Sequence, residues 1–265
     1  MAPRAAAPGS RARPPITVTV LAAVVAAGAL VPVGYVLWYA VQLGLDETWE
    51  LLARPRVGQL LGNTTALLLG VMALSTLLGA GAAWLVESTD LPGTLAWHGV
   101  LVAPLAVPAF VNSYAWVSTT HAVQSYGGAV LVISLSYYPL VYLPVVATLR
   151  GLDPAFLESA QALGLSRWEA LRRVTLPLLR TPIAGGALLV GLHCLAEFGA
   201  LQMLRFPTFT TAIYDAYESS FAGPAATLLA AVLVLLCLVL LAGELRLAGR
   251  TRLARVGSGT ARPRP

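Results

Sequence analysis

One stretch of the chain constrains its fold more than any other. The 59 consecutive positions between Asp90 and Arg150 carry no formally charged side chain. As a single α-helix, a segment of this length would extend roughly 90 Å, about three times the thickness of a bilayer core. The segment must therefore fold back on itself. The polar, glycine-containing stretch 118–128 is the natural turn, and it predicts two spans at about 96–117 and 129–149.

The other apolar runs predict four more membrane helices. The run that follows the basic N-terminal tail has 29 positions, too many for the apolar region of a signal peptide, which has about 7 to 15. Thr181 and Pro182 predict the start of the fifth span, as N-cap and first helical residue. We therefore expect an all-α, polytopic membrane bundle of six helices. The four further runs lie at 16–44, at 57–86 with a helical core from about Asn63, at about 182–204 and at 224–243.

The composition agrees with a membrane protein and excludes other classes. Hydrophobic residues make up 57% of the 265 positions and charged residues only 11%, against about 25% in an ordinary soluble domain. Cys194 and Cys237 lie inside apolar runs, so no disulfide framework is expected. With no aromatic-interleaved basic stripe and no nucleic-acid motif, we expect no nucleic-acid partner.

The arginines are distributed unevenly between the two sides of the predicted bundle. Six spans place both termini on one side, and assigning that side to the cytoplasm leaves only Arg54, Arg56 and Arg205 of the 17 basic residues outside. This split is what the positive-inside rule demands, although the second loop, with Glu87 and Asp90, adds no positive charge. The predicted organisation is a basic cytoplasmic tail, a six-span domain and a basic tail or linker, at 1–15, 16–246 and 247–265.

The longest predicted cytoplasmic loop, at 150–180, is the most structured polar part of the sequence. Asp153 and Pro154 provide an N-cap and a first-turn signal for a short helix, which Gly164 ends. A connector between neighbouring antiparallel spans usually needs about 2 to 8 residues, whereas this loop has about thirty and carries apolar residues at helical spacing. We therefore expect the loop to dock against a cytoplasmic partner.

A second short helix is predicted just after the turn at Gly164. Ser166 and Glu169 have the spacing of a capping box, in which each side chain bonds the backbone of the other residue. Pro177 is expected to stop this helix, because proline disrupts a helix interior. The loop is thus predicted to be a helix, a tight turn and a second helix.

The same loop resembles the EAA loop of bacterial ABC importer permeases. That pattern is Glu-Ala-Ala, three residues, Gly, nine residues, Ile, any residue, Leu, Pro, and this sequence has Ser for the first alanine and Val for the isoleucine. The resemblance implies coupling helices that sit in a groove of a cytoplasmic ATP-binding subunit, where ATP is hydrolysed. The matching residues are Glu158, Ser159, Ala160, Gly164, Val174, Leu176 and Pro177.

The segment 197–214 resembles the ferric-iron permease branch of this family, particularly its N-terminal half. Such permeases are usually one polypeptide with two six-span halves, and the end of this chain, from Arg246, resembles the linker between them. The resemblance implies a transport subunit of the bacterial inner membrane, without catalytic residues, cofactor or metal site, that receives iron from an extracytoplasmic substrate-binding protein.

Three questions stay open on the sequence alone. The second half is a copy of this chain, a separate protein or a further C-terminal portion. Thiamine, phosphonate, sulfate and polyamine are alternative substrates, because related branches carry them. The outer segment 206–221 is either a contact for the binding protein or an amphipathic segment on the membrane surface.

Glu197 is the only acidic residue deep within a predicted span. Placing a carboxylate at membrane depth costs free energy unless it faces a cavity or a partner. Glu197 is therefore the candidate residue of the translocation path. The alternative is that its carboxylate bonds a neighbouring helix and has a purely structural role. Arg205 is near in sequence, but a spacing of eight is not that of a helical pair. The three histidines lack the clustered spacing of a metal site and are expected to pack or face an interface: His98, His121 and His193.

Two other classes of membrane protein fit the sequence less well. An intramembrane enzyme needs a nucleophile with a base, and although Ser113, Ser134 and Ser136 supply hydroxyls, neither a G-x-S-x-G elbow nor an HExxH motif is present. A passive channel does not need an EAA-like loop. No Walker glycine-rich loop occurs, as expected if the nucleotide sites lie in another subunit.

The turn residue of the loop gives a direct test of the docking role. Gly164→Asp is expected to abolish ATP-coupled uptake and leave membrane insertion intact, because the added side chain spoils the fit of the turn against its partner. Uptake by whole cells measures the first effect, and the amount of protein in the membrane fraction measures the second. Normal transport by this variant would count heavily against docking.

Overall fold

The computed structural model describes residues 16–42, 44–152, 162–220 and 223–251, and all regular secondary structure in these ranges is helical. Four helices are long and apolar enough to cross a membrane, and there are six spans if each of two bent helix pairs counts as one. The all-α membrane bundle is thereby confirmed. Several predicted features lie outside the described residues: the tail 1–15, most of the tail 247–265, and the loop positions Asp153, Pro154, Glu158, Ser159 and Ala160.

The described helices follow one another along the chain in the order below. Two 3-10 turns, Ala103–Ala106 and His121–Val123, and one π-helical turn, Leu171–Thr175, join some of them. The first part of the chain forms α1 (Ile16–Gln42), α2 (Leu45–Leu52), α3 (Pro55–Ser88), α4 (Thr94–Val102), α5 (Ala109–Thr119), α6 (Tyr126–Tyr137) and α7 (Pro139–Gly151). The second part forms α8 (Arg167–Ala170), α9 (Leu176–Ala196), α10 (Gly199–Met203), α11 (Phe209–Ser220) and α12 (Gly223–Thr251).

The third span, predicted at about 96–117, is sharply bent. The segment Thr94–Ala106 meets α5 at an angle of 92°. The break lies at Val107 and Pro108, whose ψ angles of 121° and 137° are extended. The residue before a proline is disfavoured in the helical region of backbone conformation. Membrane helices often tolerate proline, but here the helical segment is broken at Val107 and Pro108. The fourth span, predicted at 129–149, is bent less, by 43° between α6 and α7.

The fifth span begins earlier than predicted. α8 continues through the π-helical turn into α9, so that one apolar helix covers Trp168–Ala196. Pro177 therefore does not stop a loop helix, and Thr181 and Pro182 do not start the span; Pro182 lies inside α9. Both predictions were wrong because a membrane helix can continue through proline. Neighbouring helices and local π-helical geometry can provide partners for the backbone carbonyl groups that proline leaves unpaired. The span also ends sooner, at Ala196 instead of 204.

The core lies where α3, α7 and α9 pack against one another. Val71, Val141, Tyr142 and Val190 are fully buried there. α12 packs against α9 and α11, and α1 contacts the bundle mainly through α12. A smaller cluster joins Leu60, at the start of α3, to α11.

Two glycines allow the backbone of α7 to lie directly against its neighbours. A Cβ atom added at Gly79 of α3 would lie 2.6 Å from the carbonyl oxygen of Tyr138, and one added at Gly186 of α9 would lie 2.7 Å from Cα of Val141. Both contacts are with backbone atoms, which cannot swing aside. Close approach through small residues is typical of membrane bundles, where packing drives helix association.

Gly79→Ala is expected to destabilise the protein by about 1–3 kcal/mol, because the methyl group forces α3 and α7 apart. Gly81→Ala is the matched control: it lies two residues along the same helix, and nothing lies within 4 Å of its added Cβ. Thermal unfolding of the two purified variants in detergent measures the difference. Equal unfolding temperatures would contradict the close approach.

Candidate functional site

The turn of the loop 150–180 lies at Gly164, as predicted. Its φ is +87°, in the left-handed region, and among the described residues no atom lies within 4 Å of an added Cβ. The backbone conformation of the turn therefore favours glycine at this position.

The predicted capping box between Ser166 and Glu169 is present. The Ser166 backbone N–H and hydroxyl both donate to Oε2 of Glu169, at 3.0 Å, and the Glu169 N–H donates to Oγ of Ser166, at 3.3 Å. The backbone bond, followed by the hydroxyl bond, lowers the pKa of the Glu169 carboxyl. A lowered pKa means that the cap contributes stability at neutral pH and loses it as the pH falls through that pKa.

The exposed side of this second loop helix combines aromatic, apolar and basic groups. Trp168 is 61% exposed and Leu163 is 85% exposed. The Arg172 guanidinium lies 5.9 Å from the centre of the Trp168 ring, and Arg173 approaches Glu169 at 3.9 Å. Tryptophan and arginine are the residues most enriched at binding hot spots. We refer to Leu163, Gly164, Trp168 and Arg172 as the loop face.

The later EAA-like residues do not all share this exposure. Leu176 is 47% exposed and Pro177 is exposed, whereas Val174 is half-buried. Thr175, the position that the pattern leaves free, is buried against the bundle. The second part of the pattern thus belongs to the helix that enters the membrane, and only its exposed positions are available to a partner.

A cluster of polar side chains connects the end of α7, where the loop begins, to α3 and α4. Arg150 Nε donates to Oε1 of Glu87 at 2.8 Å, and the same oxygen lies 3.1 Å from Nε2 of His98. The guanidinium also bonds His98 Nε2, and the Tyr142 hydroxyl bonds His98 Nδ1.

This junction joins the ends of α3, α4 and α7 where the loop begins. It explains the packing role expected for His98. The sequence contains no signal for it, because Glu87 and Arg150 are 63 positions apart and no motif relates them.

Glu197 lies at the break between α9 and α10, where its backbone is extended. Oε1 accepts the Ala200 N–H at 2.9 Å, and Oε2 accepts the Tyr137 hydroxyl. The backbone carbonyl of Glu197 accepts the Thr210 hydroxyl at 2.7 Å. One residue therefore connects α6, α9, α10 and α11, and we call Glu197, Tyr137, Ala200 and Thr210 the Glu197 hub.

The surroundings of the hub are partly open. Glu197 is half-buried, and the exposed His193 ring lies 5.4 Å from the Tyr137 ring. Arg205 forms no ion pair with Glu197 in the described structure. Within the described ranges, no three His, Cys, Asp or Glu side chains are placed to ligate one metal ion.

The break in the fifth span is also stabilised from α3. Asn63 Nδ2 donates to the carbonyl of Pro207 at 3.1 Å, and the Phe209 N–H donates to Oγ1 of Thr64 at 3.2 Å. From the sequence, Asn63 marked only the expected start of a helical core. The run of three polar residues at 63–65, within a predicted apolar span, was the available signal for polar contacts with a neighbouring segment.

Residues 75–252, more than half of the chain, match the family of binding-protein-dependent transport system inner membrane components. The chain belongs to this family. The predicted family of the chain is thereby confirmed, as is the expectation of a multi-pass protein of the bacterial inner membrane.

Individual relatives agree with the family assignment. The chain is 38% identical over 251 residues to the Fe(3+)-transport system permease protein FbpB 2 of Haemophilus influenzae; the alignment covers 95% of this chain and 50% of the relative. The chain thus spans about half the length of that relative. It is 26% identical over 229 residues to the sulfate transport system permease protein CysW of Synechocystis sp., covering 77% of this chain and 83% of the relative.

A solved structure has the same fold. It is that of a bacterial ABC transporter involved in the import of the acidic polysaccharide alginate, with a TM-score of 0.67 and 15% identity, and the match covers 91% of this chain and 96% of the other.

Glu197→Ala is expected to lower the free energy of unfolding by about 1–3 kcal/mol for each hydrogen-bonding group that it leaves unpaired, here the Ala200 N–H and the Tyr137 hydroxyl. Glu197→Gln is the matched control, because its amide can accept from Ala200 and donate to Tyr137. Thermal unfolding of both variants measures the difference. An alanine variant as stable as the glutamine variant would show that these bonds do not hold the hub together.

Proposed function

We propose that this chain is the transmembrane permease subunit of an ATP-driven ABC importer of ferric iron. A separate cytoplasmic subunit hydrolyses ATP, and an extracytoplasmic binding protein delivers the substrate. The observation that carries this proposal is the 38% identity to an Fe(3+) permease over 95% of the chain. The chain itself has a transport role and no enzymatic one.

The loop 150–180 is the proposed contact with the ATP-binding subunit, through Glu158, Ser159, Ala160, Gly164, Val174, Leu176 and Pro177. The support comes from the loop face, which presents a large apolar and aromatic surface to the solvent. Trp168 is 61% exposed and Leu163 is 85% exposed, and among the described residues the Trp168 ring has the Arg172 guanidinium beside it. A groove in a partner would bury both.

One helix links the loop to the candidate translocation path. Trp168–Ala196 contains 29 residues, which at 1.5 Å per residue extend roughly 43 Å. Its first residues belong to the loop face, and Glu197 follows directly after its last turn. When the ATP-binding subunit displaces the loop, this helix therefore transmits the movement to the Glu197 hub at its C-terminal end. This is the two-state movement that alternating access requires.

Glu197 is the proposed cation-attracting group of the path. Glu197 is half-buried, and its carboxylate accepts a hydrogen bond from the Tyr137 hydroxyl; the Tyr137 ring in turn lies 5.4 Å from the exposed His193 ring. Ferric iron is a hard cation, and hard cations prefer carboxylate and other oxygen donors. A negative group at this depth favours passage of a cation over passage of an anion.

A sulfate importer is the second candidate, because the chain matches a sulfate permease over 83% of that relative's length. The two candidates differ in the role they give to Glu197, since a carboxylate on the path would repel an oxyanion. The importer also needs a second six-span half, which is a copy of this chain, a separate protein or a further C-terminal portion. That the chain spans half of the iron permease supports this requirement.

The proposal is tested with the chain, its ATP-binding subunit and its binding protein assembled in proteoliposomes. We expect ATP-dependent uptake of ferric iron that requires the binding protein, and no uptake of sulfate. A ligand screen of the binding protein reports the substrate independently. Uptake of sulfate but not iron would replace the first candidate with the second, and failure to co-purify with any ATP-binding subunit would remove both.

In the same assay, Glu197→Gln is expected to lower iron uptake severalfold while the ATP-binding subunit remains attached. The variant keeps hydrogen-bond partners for the hub and removes only the negative charge. Unchanged iron uptake would assign Glu197 a structural role alone.

A further inference from the structure

We propose that a cleft on the face opposite the loop binds one anionic phospholipid. The outer cleft lies between α2, the start of α3, α11 and the start of α12, and has a volume of about 250 Å³. The lipid phosphate lies against Arg54 and Arg56, and one acyl chain occupies the apolar part. The apolar wall consists mainly of Leu51, Leu52, Val57, Leu60, Leu228 and Leu229.

The charge at the cleft favours an anion. Arg54 and Arg56 line it together with a single carboxylate, Asp215, which has its own interaction within the chain. Both arginines are exposed, and neither forms an ion pair with a described carboxylate. Guanidinium groups bind phosphate oxygens in pairs, with two parallel hydrogen bonds. Two of the three arginines expected on this side of the membrane therefore face one cleft.

The start of α3 adds a second attraction for a phosphate. Arg54 is the N-cap residue of this 34-residue helix, and the helix has no side-chain cap. The Arg54 and Val57 N–H groups already donate to the carbonyls of Leu51 and Arg54, and Pro55 has no N–H, so the attraction comes from the positive end of the helix dipole. An anion held by Arg54 and Arg56 lies beside this end of the helix.

The apolar part of the cleft distinguishes a lipid from a free anion. Leu60 and Leu228 are 2% and 3% exposed, so the wall they form is continuous with the packed helices. A dry apolar cavity of roughly 150 Å³ is large enough for benzene, so this one has room for part of an acyl chain. On α2, Trp49 is 75% exposed, which is typical of a residue at the level of lipid headgroups.

The test uses the full-length chain, purified in detergent and stripped of lipid. Native mass spectrometry measures binding of phosphatidylglycerol and of phosphatidylcholine with the same acyl chains. We expect one phosphatidylglycerol per chain, bound in preference to phosphatidylcholine. The double variant Arg54→Gln, Arg56→Gln is expected to weaken phosphatidylglycerol binding about tenfold or more, since each arginine near a charged headgroup contributes about 1 kcal/mol.

Two further variants separate the headgroup from the acyl chain. Arg205→Gln removes the third outside arginine, which does not line the cleft, and is expected to bind phosphatidylglycerol like the unchanged protein. Ala225→Phe narrows the cleft while both arginines remain, and is expected to lose the lipid. Thermal unfolding of each variant without lipid verifies that it is folded.

Three results would overturn the proposal. Equal binding of both lipids would remove the headgroup preference. Equal loss of binding in Arg205→Gln and in the double variant would indicate attraction to the whole outer surface and not to this cleft. Binding of glycerol phosphate as tight as that of phosphatidylglycerol would identify the ligand as a free phosphate.

Discussion

The structure depends on one requirement of the bilayer: every backbone N–H and C=O at membrane depth needs a partner within the protein. This chain interrupts its apolar helices, and each interruption creates unpaired backbone groups. After the fifth span, Glu197 accepts from Ala200, and the Glu197 carbonyl accepts from Thr210. Asn63 and Thr64, one helix away, bond the backbone of residues 207 and 209. The side chains of Glu197, Asn63 and Thr64 thus bond backbone groups of the irregular segment that follows the fifth span.

This requirement explains which parts of the fold the sequence could predict. Apolar length predicted the spans, because any segment of about twenty apolar residues must cross or be buried. Local chemistry predicted the turn at Gly164 and the cap between Ser166 and Glu169, since both depend on residues a few positions apart. Proline was misleading. Pro108 lies at a break between two helical segments, whereas Pro177 and Pro182 lie within a continuous helix. Only the packing of the surrounding helices decides between these two outcomes.

The candidate site was predictable in part for the same reason. The depth and rarity of its carboxylate singled out Glu197, but its partners could not be named, because Tyr137 is 60 positions away. The junction of Glu87, His98 and Arg150 gave no signal at all. Both clusters join residues that are distant in sequence, and the tertiary packing of α3, α7 and α9 alone brings such residues together. That packing rests in turn on Gly79 and Gly186.

The π-helical turn at Leu171–Thr175 has a geometric consequence for the helix that contains it. A π turn holds one residue more than an α turn, and each residue of an α-helix turns the chain by about 100°. If the turn tightened to α geometry, Trp168 and Arg172 would swing around the helix axis by about that angle relative to α9. The π-helical turn therefore sets the direction in which Trp168 and Arg172 project around the helix axis relative to α9.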